Sequence, residues 1–364
     1  MKIIHIAGTN AKGSVVYYLE SILKQTEWRS GVFTSPHLFS PRERIRVDGK
    51  PIPKETYDDL MASQPRDRHR FFDWWEIAKA YFDQCGIEVA VVEAGIGGAK
   101  DITNEVRSEI AVLTRIGLDH TAVLGNTVEE IACEKCGIIK PNSLCVTLPQ
   151  RESVMRLIER HALSQHASLV VAQPDRVCRS DAQTQVFELS GEEYTICSMD
   201  IRQTENAAAA CLCAKHLGID AQRIRKGLLQ TRIPGRMQRI GGNIVADGAH
   251  NPQAVCGALE RIRAAFPQSR LMVVTGVMKD KDAAGIARCI EAAADRVFCV
   301  CPDAVRGLPS EQYAKYFQNA RAYASPAEAL LEARKEKRAV VAVLGSFYLL
   351  PKLFSPLELL PEQP

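Results

Sequence analysis

The sequence predicts an α/β fold in two domains, residues 1–234 and 235–364. Three observations predict it. The 364 residues exceed the roughly 100–200 residues of one typical domain. Short runs rich in Val and Ile alternate with longer amphipathic stretches, as in βαβ units with a mostly parallel sheet. A Pro234-Gly235 step then ends a helical pattern, and a second α/β series follows it.

The first domain contains five short apolar runs with the composition of strands that are buried on both faces. Stretches with the helical spacing of apolar residues separate them. Thr127, with Glu130 three residues later, matches a capping box at the start of one helix. A Ser-Gly-Glu-Glu step between two further runs predicts a hairpin, and two helices come after it. The predicted strands are Lys2–Ala7, Gly31–Thr34, Glu88–Val92, Ile110–Ile116, Leu144–Leu148, Val186–Leu189 and Tyr194–Cys197, and the predicted helices are Ser14–Gln25, Phe72–Cys85, Thr127–Cys136, Glu152–Ser164, Thr204–Leu217 and Ala221–Leu229.

The second domain repeats this alternation. Four apolar runs predict the strands of a second sheet, and three amphipathic stretches predict its helices. The strands are Asn243–Ala246, Leu271–Thr275, Val297–Cys301 and Val340–Leu344, and the helices are Pro252–Ala265, Ala283–Ala293 and Pro326–Lys335.

Composition and charge exclude several classes of protein. Apolar residues make up 46% and charged residues 24%, which excludes a disordered chain. The net charge of +3 is too close to zero for a nucleic-acid-binding surface, and no apolar run reaches the ~18–20 residues of a membrane-spanning helix. The N-terminal run does not resemble a signal peptide, so we expect a cytoplasmic protein. We therefore expect the 12 cysteines to be reduced, with zinc at Cys133-x-x-Cys136 as the weaker alternative.

The run after the first predicted strand has the composition of a phosphate-binding loop. GTNAKGS, residues 8–14, joins that strand to a helix. In such a loop, backbone N–H groups and the helix N-terminus surround phosphate oxygens, and Lys12 adds a positive charge. Ser14 has a hydroxyl that could reach a Mg²⁺ ion. An ordinary strand–helix turn is the alternative, which this loop alone does not exclude.

Three more predicted strands end in loops with polar residues or glycines. TSPHL (residues 34–38) follows the second strand, Glu93 and a glycine-rich run follow the third, and Asp119-His120 follows the fourth. Ligands of open α/β sheets bind at the carboxyl ends of the strands, so we expect these loops to meet at one edge. Glu93 is a suitable oxygen ligand for Mg²⁺, with helix capping as its alternative. A lone histidine such as His120 is more often structural.

Together the motifs resemble the folylpolyglutamate synthase and dihydrofolate synthase family, which is related to the Mur ligases. The matching stretches occur in the family's order and cover nearly the whole chain, and the block after Ile116 is the longest. The stretches are HIAGTNAKGS from His5, TSPHL from Thr34, VVEAGIGG from Val91, DITN from Asp101, IGLDHTAVLGNTVEEIACEKCGIIKP from Ile116, PGR from Pro234, DGAHNP from Asp247, GVMKDKD from Gly276 and LGSFYL from Leu344.

The resemblance implies an ATP-dependent ligase with an N-terminal P-loop ATPase-like domain and a smaller, Rossmann-like C-terminal domain. In this family, ATP phosphorylates the carboxylate of a pterin substrate. L-Glutamate then attacks the acyl phosphate, and ADP and phosphate are released. The resemblance further implies dihydropteroate or a reduced folate as acceptor, two Mg²⁺ ions, and a monomer without nucleic-acid or membrane partners. Because negative charge develops on oxygens in both steps, metal ions and cations should dominate the site.

The resemblance also assigns roles to individual residues. It makes Lys135 a carbamylated lysine that helps to hold a second Mg²⁺, whereas the sequence alone favours a surface lysine of a helix. The phenylalanine and tryptophan side chains of residues 71–75 could equally form the core face of a helix. The implied residues are, for catalysis, Lys12, His120, Lys135 and Asp247; for metal, Ser35, Glu93, His120 and Lys135 as its carbamate; for ATP, Ala11, Lys12, Gly13, Ser14, Asn206, Arg236 and Asp247; for the pterin, Phe71, Phe72, Asp73, Trp74, Lys100, Asp101 and Ile102; and for glutamate, Asp247, His250 and Ser346.

Four features depart from the family pattern. Met1 directly precedes the first strand, where the family usually has a helical segment. Ala11 replaces the glycine before the phosphate-loop lysine, at a cost of about 1 kcal/mol if that position needs a positive φ. Ala99 replaces an arginine, and Asp73 replaces a glutamate.

Two alternatives to a glutamate ligase of pterins stay open at this stage. One is a Mur-type ligase with another carboxylate acceptor, and the matches in the pterin segments argue against it. The other is a degenerate, non-catalytic nucleotide-binding homologue, which Ala11 and the absent helical segment favour. Against it stand the retained residues Ser35, Glu93, His120, Lys135 and Asp247.

Overall fold

Strands rich in Val, Ile and Ala form the centres of two α/β units in this computed structural model, which describes residues 1–65, 70–181 and 183–360. The first unit contains most of the chain up to Thr231. The second begins at Arg232 and also takes in Ser198–Asp200. The α/β fold class predicted from the alternation of apolar runs is confirmed for both units.

The first unit is built on an eight-stranded sheet. Its strands are β1 (Lys2–Ala7), β2 (Ser30–Phe33), β3 (Ile45–Val47), β4 (Lys50–Pro51), β5 (Val89–Glu93), β6 (Ile110–Leu113), β7 (Leu144–Thr147) and β8 (Ser168–Val171). They lie in the order β4-β3-β2-β5-β1-β6-β7-β8, and all pairs are parallel except β2–β3 and β3–β4. Strand β1 therefore lies between β5 and β6, and the loops that leave all three at their carboxyl ends lie side by side.

Helices cover this sheet, and their starts follow the expected capping chemistry. The Thr127 side chain accepts from the Glu130 N–H while Glu130 reaches back to Thr127, which confirms the capping box predicted there. The Asp220 side chain caps a later helix by accepting from the Arg223 N–H. The helices of this unit are α1 (Lys12–Leu23), α2 (Lys54–Ala62), α3 (Arg70–Cys85), α4 (Thr121–Leu124), α5 (Val128–Cys136), α6 (Glu152–Ser164), α7 (Gln203–His216) and α8 (Ala221–Gln230), with 3₁₀ helices at Pro41–Arg44 and Ile102–Glu105.

A small antiparallel sheet completes the first unit. Its strands are β9 (Arg176–Ser180), β10 (Gln185–Leu189) and β11 (Glu192–Ile196). The β10–β11 pair is the predicted hairpin. The β9 strand is not predicted, because it is exposed along its whole length and has no apolar face to give a pattern.

The second unit has a six-stranded sheet in the order β12-β13-β17-β14-β15-β16, parallel except for β12–β13. Its buried face packs against α9 and α10. The elements are β12 (Gln238–Ile240), β13 (Ile244–Ala246), α9 (Pro252–Ala265), β14 (Arg270–Thr275), α10 (Ala283–Ala293), β15 (Arg296–Cys299), α11 (Ser310–Ala314), β16 (Ala320–Ala322), α12 (Pro326–Arg334), β17 (Ala339–Leu344), a 3₁₀ helix at Phe347–Leu349, α13 (Leu350–Leu353) and α14 (Pro356–Leu359).

One expectation about the cysteines is wrong. Cys256 of α9 and Cys289 of α10 form a disulfide, with their Cα atoms 5.1 Å apart. The two helices pack against each other, and a separation of 33 residues in the sequence gives no signal of that proximity. Of the helices in the described part of the chain, none is long and apolar enough to cross a membrane.

Candidate active site

The loop after β1 is held tightly against the end of β6. An added Cβ on Gly8 would lie 1.8 Å from Thr114 Oγ1, so only glycine allows the chain to pass there. The Thr114 hydroxyl donates to the Asn10 carbonyl at 2.7 Å. The Thr9 and Asn10 N–H groups both donate to the Arg115 carbonyl, at 3.0 and 3.2 Å. These contacts fix the backbone of the predicted phosphate loop just before α1.

Ala11 has a positive φ, which is the case in which the sequence analysis expects a Cβ at this position to be costly. It is the residue before α1 and has φ 74° and ψ 1°, in the left-handed region. An L-residue with a Cβ pays roughly 1–2 kcal/mol in that conformation. The loop therefore keeps the backbone that suits glycine, although the sequence has alanine.

We expect Ala11→Gly to stabilise the protein by about 1 kcal/mol, because it removes the clash of the Cβ. In differential scanning calorimetry the first unit should melt about 2–4 °C higher, and ATP affinity should be equal or greater. Ala80→Gly in the middle of α3 is the matched control and should lower the melting temperature, since glycine weakens a helix interior. An Ala11→Gly protein that melts no higher than wild type would show that the loop has adapted to alanine.

A buried carboxylate lies beside this loop. Glu93 ends β5, is 3% exposed, and accepts a hydrogen bond from the Ser35 N–H at 3.2 Å through Oε2. A Cβ built on Gly13 would lie 3.9 Å from the same oxygen. The loops after the first, second and third predicted strands therefore lie together at this edge, as the sequence predicts.

Charged residues that the sequence analysis does not single out support the Ser35 loop. Arg46 of β3 forms a buried two-point ion pair with Glu20 of α1, with N–O distances of 2.7 and 2.9 Å. The same guanidinium donates to Thr34 Oγ1 at 3.0 Å. Because this pair joins α1, β3 and the residue before Ser35, it holds the loop against the helix that begins at the phosphate loop.

Two lysines share one backbone carbonyl in this loop. Lys12 Nζ and Lys135 Nζ each donate to the Gly8 carbonyl at 3.0 Å. Lys135 is only 4% exposed, so its alternative as a surface lysine is wrong. Burial, followed by the positive charge of Lys12, lowers the pKa of Lys135 to about 7, although Asp119, Asp101 and Glu134 oppose the shift.

The glycine-rich run after Glu93 positions Lys135. A Cβ on Gly98 would lie 2.8 Å from Lys135 Cα, so the loop packs directly on the backbone of α5. The Ala99 N–H donates to the Glu134 carbonyl at 2.7 Å. Ala99 in turn faces Gly137, where an added Cβ would lie 2.4 Å from the alanine Cβ. This close packing places Lys135 under the phosphate loop.

His120 lies at the start of α4 with φ 50°, and its N–H donates to the Asp119 carboxylate at 2.9 Å. The negative charge of Asp119 is one of the charges that oppose the lowering of the Lys135 pKa. The left-handed backbone of His120 marks a tight turn at the start of α4.

Helix α7 also borders the phosphate loop, through a residue that the sequence analysis missed. Gln203 Nε2 donates to Ser14 Oγ at 3.4 Å, and Gln203 Oε1 accepts from Asn206 Nδ2 at 3.0 Å. All three side chains are buried. Gln203 lies three residues before Asn206, so both are on one face of the helix. This spacing relative to the predicted site residue Asn206 is the sequence signal that could have identified Gln203.

The aromatic segment of α3 divides between the site and the core. A Cβ on Gly95 would lie 2.5 Å from Phe71 Cζ, so the Phe71 ring covers the glycine-rich loop. Trp75 is 2% exposed and belongs to the core. The Arg44 guanidinium covers one Trp74 ring face at 3.9 Å, so that face is not open for stacking. Asp73 is 5% exposed, and its Oδ1 has no hydrogen-bond partner among the described residues.

Lys100, Asp101 and Ile102 follow the same glycine-rich loop in the chain. Asp101 Oδ2 accepts from the Ile96 N–H at 2.9 Å, and the Lys100 N–H donates to Glu134 Oε1 at 2.7 Å. Ile102 packs on the core beside α3. Both predicted pterin segments therefore contact this loop, Phe71 at Gly95 and Asp101 at Ile96.

The second unit has its own polar cluster at the carboxyl ends of β13 and β17. Asp247 follows β13 and accepts from the Met237 and Ala249 N–H groups, at 2.8 and 2.7 Å. A Cβ on Gly248 would lie 2.8 Å from Arg236 Nη1, so Arg236 lies over this turn. Two more predicted residues belong to this edge: His250, whose Nδ1 is 3.0 Å from the Gly248 carbonyl, and Ser346, which follows Gly345 after β17.

Comparison with known proteins identifies the family. Residues 235–347 match the family described as "Mur ligase, glutamate ligase domain". Over 96% of its length, the chain is 32% identical to the dihydrofolate synthase/folylpolyglutamate synthase of Bacillus subtilis, and the match covers 88% of that protein. The chain belongs to the dihydrofolate synthase/folylpolyglutamate synthase family. The resemblance inferred from the motifs is thereby confirmed.

Solved structures of this family share the fold. E. coli FolC in complex with DHPP and ADP matches with a TM-score of 0.86 and 28% identity, over 96% of this chain and 86% of that one. A bifunctional folylpolyglutamate synthase/dihydrofolate synthase with Mn, AMPPNP and L-glutamate bound has a TM-score of 0.81 and 28% identity, over 96% of this chain and 87% of that one. Members of the dihydrofolate synthase/folylpolyglutamate synthase family thus bind nucleotide and a divalent metal on this fold.

The donor set in this family member suits Mg²⁺ bound together with phosphates. Within residues 1–65, 70–181 and 183–360, no group of three or more His, Cys, Asp or Glu side chains is placed to hold a metal ion. That finding gives no support to zinc at Cys133 and Cys136, which needs further ligands of this kind. Mg²⁺ instead takes one or two carboxylates and completes its shell with phosphate oxygens and water. Glu93, buried beside the phosphate loop, fits that requirement.

Proposed function

We propose that this chain is an ATP-dependent ligase that joins L-glutamate to the carboxylate of dihydropteroate or a reduced folate and releases ADP and phosphate. One observation carries the proposal. Lys12 and Lys135 share the Gly8 carbonyl, and the Glu93 carboxylate lies at the same loop. A phosphate-loop lysine with a buried carboxylate and a second, buried lysine at the same loop suits phosphoryl transfer between a nucleotide and a carboxylate.

In the phosphoryl step, the loop amides and the N-terminus of α1 bind the phosphates of ATP, and Lys12 adds charge. Ser35, Glu93 and His120 would hold Mg²⁺, which neutralises charge on the phosphates and orients them when bound. Ser14 faces the same phosphates, and Gln203 orients its hydroxyl. A γ-phosphoryl group leaves ATP and joins the acceptor carboxylate, which gives ADP and an acyl phosphate.

Carbamylated Lys135 is part of this proposal. An ammonium group beside Mg²⁺ would repel the metal, whereas a carbamate is an anion that can help to hold it. The neutral amine must react with CO₂, and burial next to Lys12 favours that neutral form. The same burial keeps water from competing for the modified group.

In the acyl-transfer step, the amino group of L-glutamate attacks the acyl phosphate, and phosphate departs. We assign Asp247, His250 and Ser346 of the second unit to glutamate, and Asn206 and Arg236 to the nucleotide. In the second unit the support is that these residues lie at the carboxyl ends of β13 and β17. In the first unit it is that Asn206 is buried on α7 and bonded to Gln203, which contacts the phosphate-loop residue Ser14. One solved relative has AMPPNP and L-glutamate bound together.

The acceptor pterin belongs next to the glycine-rich loop in this proposal. Phe71 offers an aromatic ring there, and Asp73 Oδ1 is a buried acceptor without a hydrogen bond among the described residues. A pterin has ring N–H groups that could satisfy such an acceptor. Asp101 contacts the same loop, where it accepts from the Ile96 N–H. We also propose that the protein is a cytoplasmic monomer without nucleic-acid or membrane partners.

ADP release measures the proposed reaction directly. With ATP, Mg²⁺, L-glutamate and dihydropteroate or a reduced folate, we expect ADP and a product one glutamyl residue heavier. Omission of either glutamate or the pterin acid should abolish product. ADP release with another carboxylate but not with pterins would favour a Mur-type ligase. Nucleotide binding without ADP release on any acceptor would favour a non-catalytic homologue.

A further inference from the structure

A buried histidine lies behind the site and takes no part in the steps above. His5 is in the middle of β1 and is fully buried. Its Nε2 is 2.9 Å from Thr103 Oγ1, and Thr103 is also fully buried. Its Nδ1 has no hydrogen-bond partner in the part of the chain that the structure describes. One ring nitrogen therefore makes a specific contact 98 residues away in the sequence.

The hydrogen bonds of Thr103 determine where the His5 proton is. Thr103 Oγ1 donates its single proton to Asp101 Oδ1 at 2.5 Å. The hydroxyl must therefore accept from His5, which places the ring proton on Nε2. Burial, followed by the charge of Lys140, lowers the pKa of His5 to about 3, so the ring is neutral at physiological pH. The chain of donors runs from His5 through Thr103 to the Asp101 carboxylate.

The far end of this chain is the loop that carries the proposed pterin residues. Asp101 Oδ1 also accepts from the Thr103 N–H at 3.0 Å, and Asp101 Oδ2 accepts from the Ile96 N–H at 2.9 Å. On its other side, Glu134 of α5 holds the Lys100 N–H. The loop is thus fixed between α5 and the hydrogen bonds that begin at His5. Since His5 lies on the strand that leads into the phosphate loop, one strand supports both the nucleotide side and the pterin side.

We propose that His5, as its Nε2–H tautomer, is a positioning residue that orients Asp101 and the glycine-rich loop for the pterin acid through Thr103. The inference rests on the proposed function for its kinetic consequences. His5 touches neither substrate nor metal in this account. The effect of His5 on the pterin passes through two hydrogen bonds, His5 to Thr103 and Thr103 to Asp101. The Thr103 hydroxyl can therefore be removed while His5 stays in place.

A matched pair at Thr103 tests the proposal. Thr103→Val keeps the shape and removes the hydroxyl, whereas Thr103→Ser keeps the hydroxyl. We expect Thr103→Val to raise the KM for dihydropteroate by about 10- to 100-fold, because the half-buried Asp101 carboxylate loses one partner. The KM for ATP should change by less than about twofold. Thr103→Ser, which keeps the hydroxyl, should have a pterin KM close to that of the wild type. An unchanged pterin KM in Thr103→Val, or an equal rise for ATP, would overturn the proposal.

His5 variants and a spectroscopic measurement complete the test. His5→Gln, which can still donate to Thr103, should retain more pterin affinity than His5→Leu. In ¹⁵N NMR of the wild-type protein, the His5 ring should show a protonated Nε2 and a bare Nδ1. A proton on Nδ1 would overturn the proposal even if the protein had no ligase activity. An inactive wild type with the expected tautomer would contradict the proposed function while supporting the positioning of Asp101.

Discussion

Lys135→Ala should lower kcat by at least about 100-fold. The side chain is buried under the phosphate loop, where it and Lys12 share the Gly8 carbonyl. Its removal takes away the anion that the carbamate would supply to the metal. A small carboxylate such as acetate should partly restore the rate by filling the vacated position. The measurement is the rate of ADP release with and without acetate.

Lys135→Arg distinguishes the carbamate from a purely structural lysine. A guanidinium stays charged at all accessible pH values and does not react with CO₂, so this variant should be no better than alanine. Wild-type protein in ¹³C-bicarbonate should gain a carbamate resonance that Lys135→Arg lacks. Lys54→Ala, on the exposed surface of α2, is the control and should leave the rate unchanged. A fully active Lys135→Arg enzyme would refute both the carbamate and the second metal.

Glu93→Gln should also lower kcat, by about 100- to 1,000-fold, while the fold persists. Glutamine keeps an oxygen that can accept from the Ser35 N–H, so the loop contact survives. It loses the negative charge that suits Mg²⁺. Steady-state rates over a range of Mg²⁺ concentrations, with circular dichroism to verify folding, provide the measurement.

Glu88→Gln is the matched control for this substitution. Glu88 precedes the same strand, β5, at its opposite end, and its exposed carboxylate accepts from the Arg29 N–H. We expect this variant to keep the wild-type rate at every Mg²⁺ concentration. If Glu93→Gln did the same, Glu93 would be a helix-capping or loop residue and not a metal ligand.

The sequence predicts the central strands and long helices because each has a pattern that acts locally. Buried parallel strands such as β1 and β5 are short apolar runs, and α5 has its capping box. The β3 and β4 strands are not predicted, because they lack such a local pattern. Arg46 interrupts the apolar pattern of β3, and its charge is tolerated only because Glu20 pairs with it.

In the site, too, only features with a local sequence pattern are predicted. Loops at strand ends are predictable, since parallel strands bring them to one edge, and this gives Glu93 and the phosphate loop. Contacts between distant segments leave no local signal. Gln203 meets Ser14 across 189 residues, and the burial of Lys135 follows from the packing of Gly98 on α5. The sequence pattern of a helix lysine does not contain that information.

The most direct test of the central proposal follows an oxygen atom. Dihydropteroate labelled with ¹⁸O in its carboxylate is incubated with enzyme, ATP, Mg²⁺ and L-glutamate, and the released phosphate is analysed by mass spectrometry. If ATP phosphorylates the carboxylate, one labelled oxygen leaves with the phosphate when glutamate attacks the acyl carbon. We predict phosphate that carries one ¹⁸O atom for each glutamate joined. Unlabelled phosphate alongside the glutamyl product would contradict the acyl phosphate.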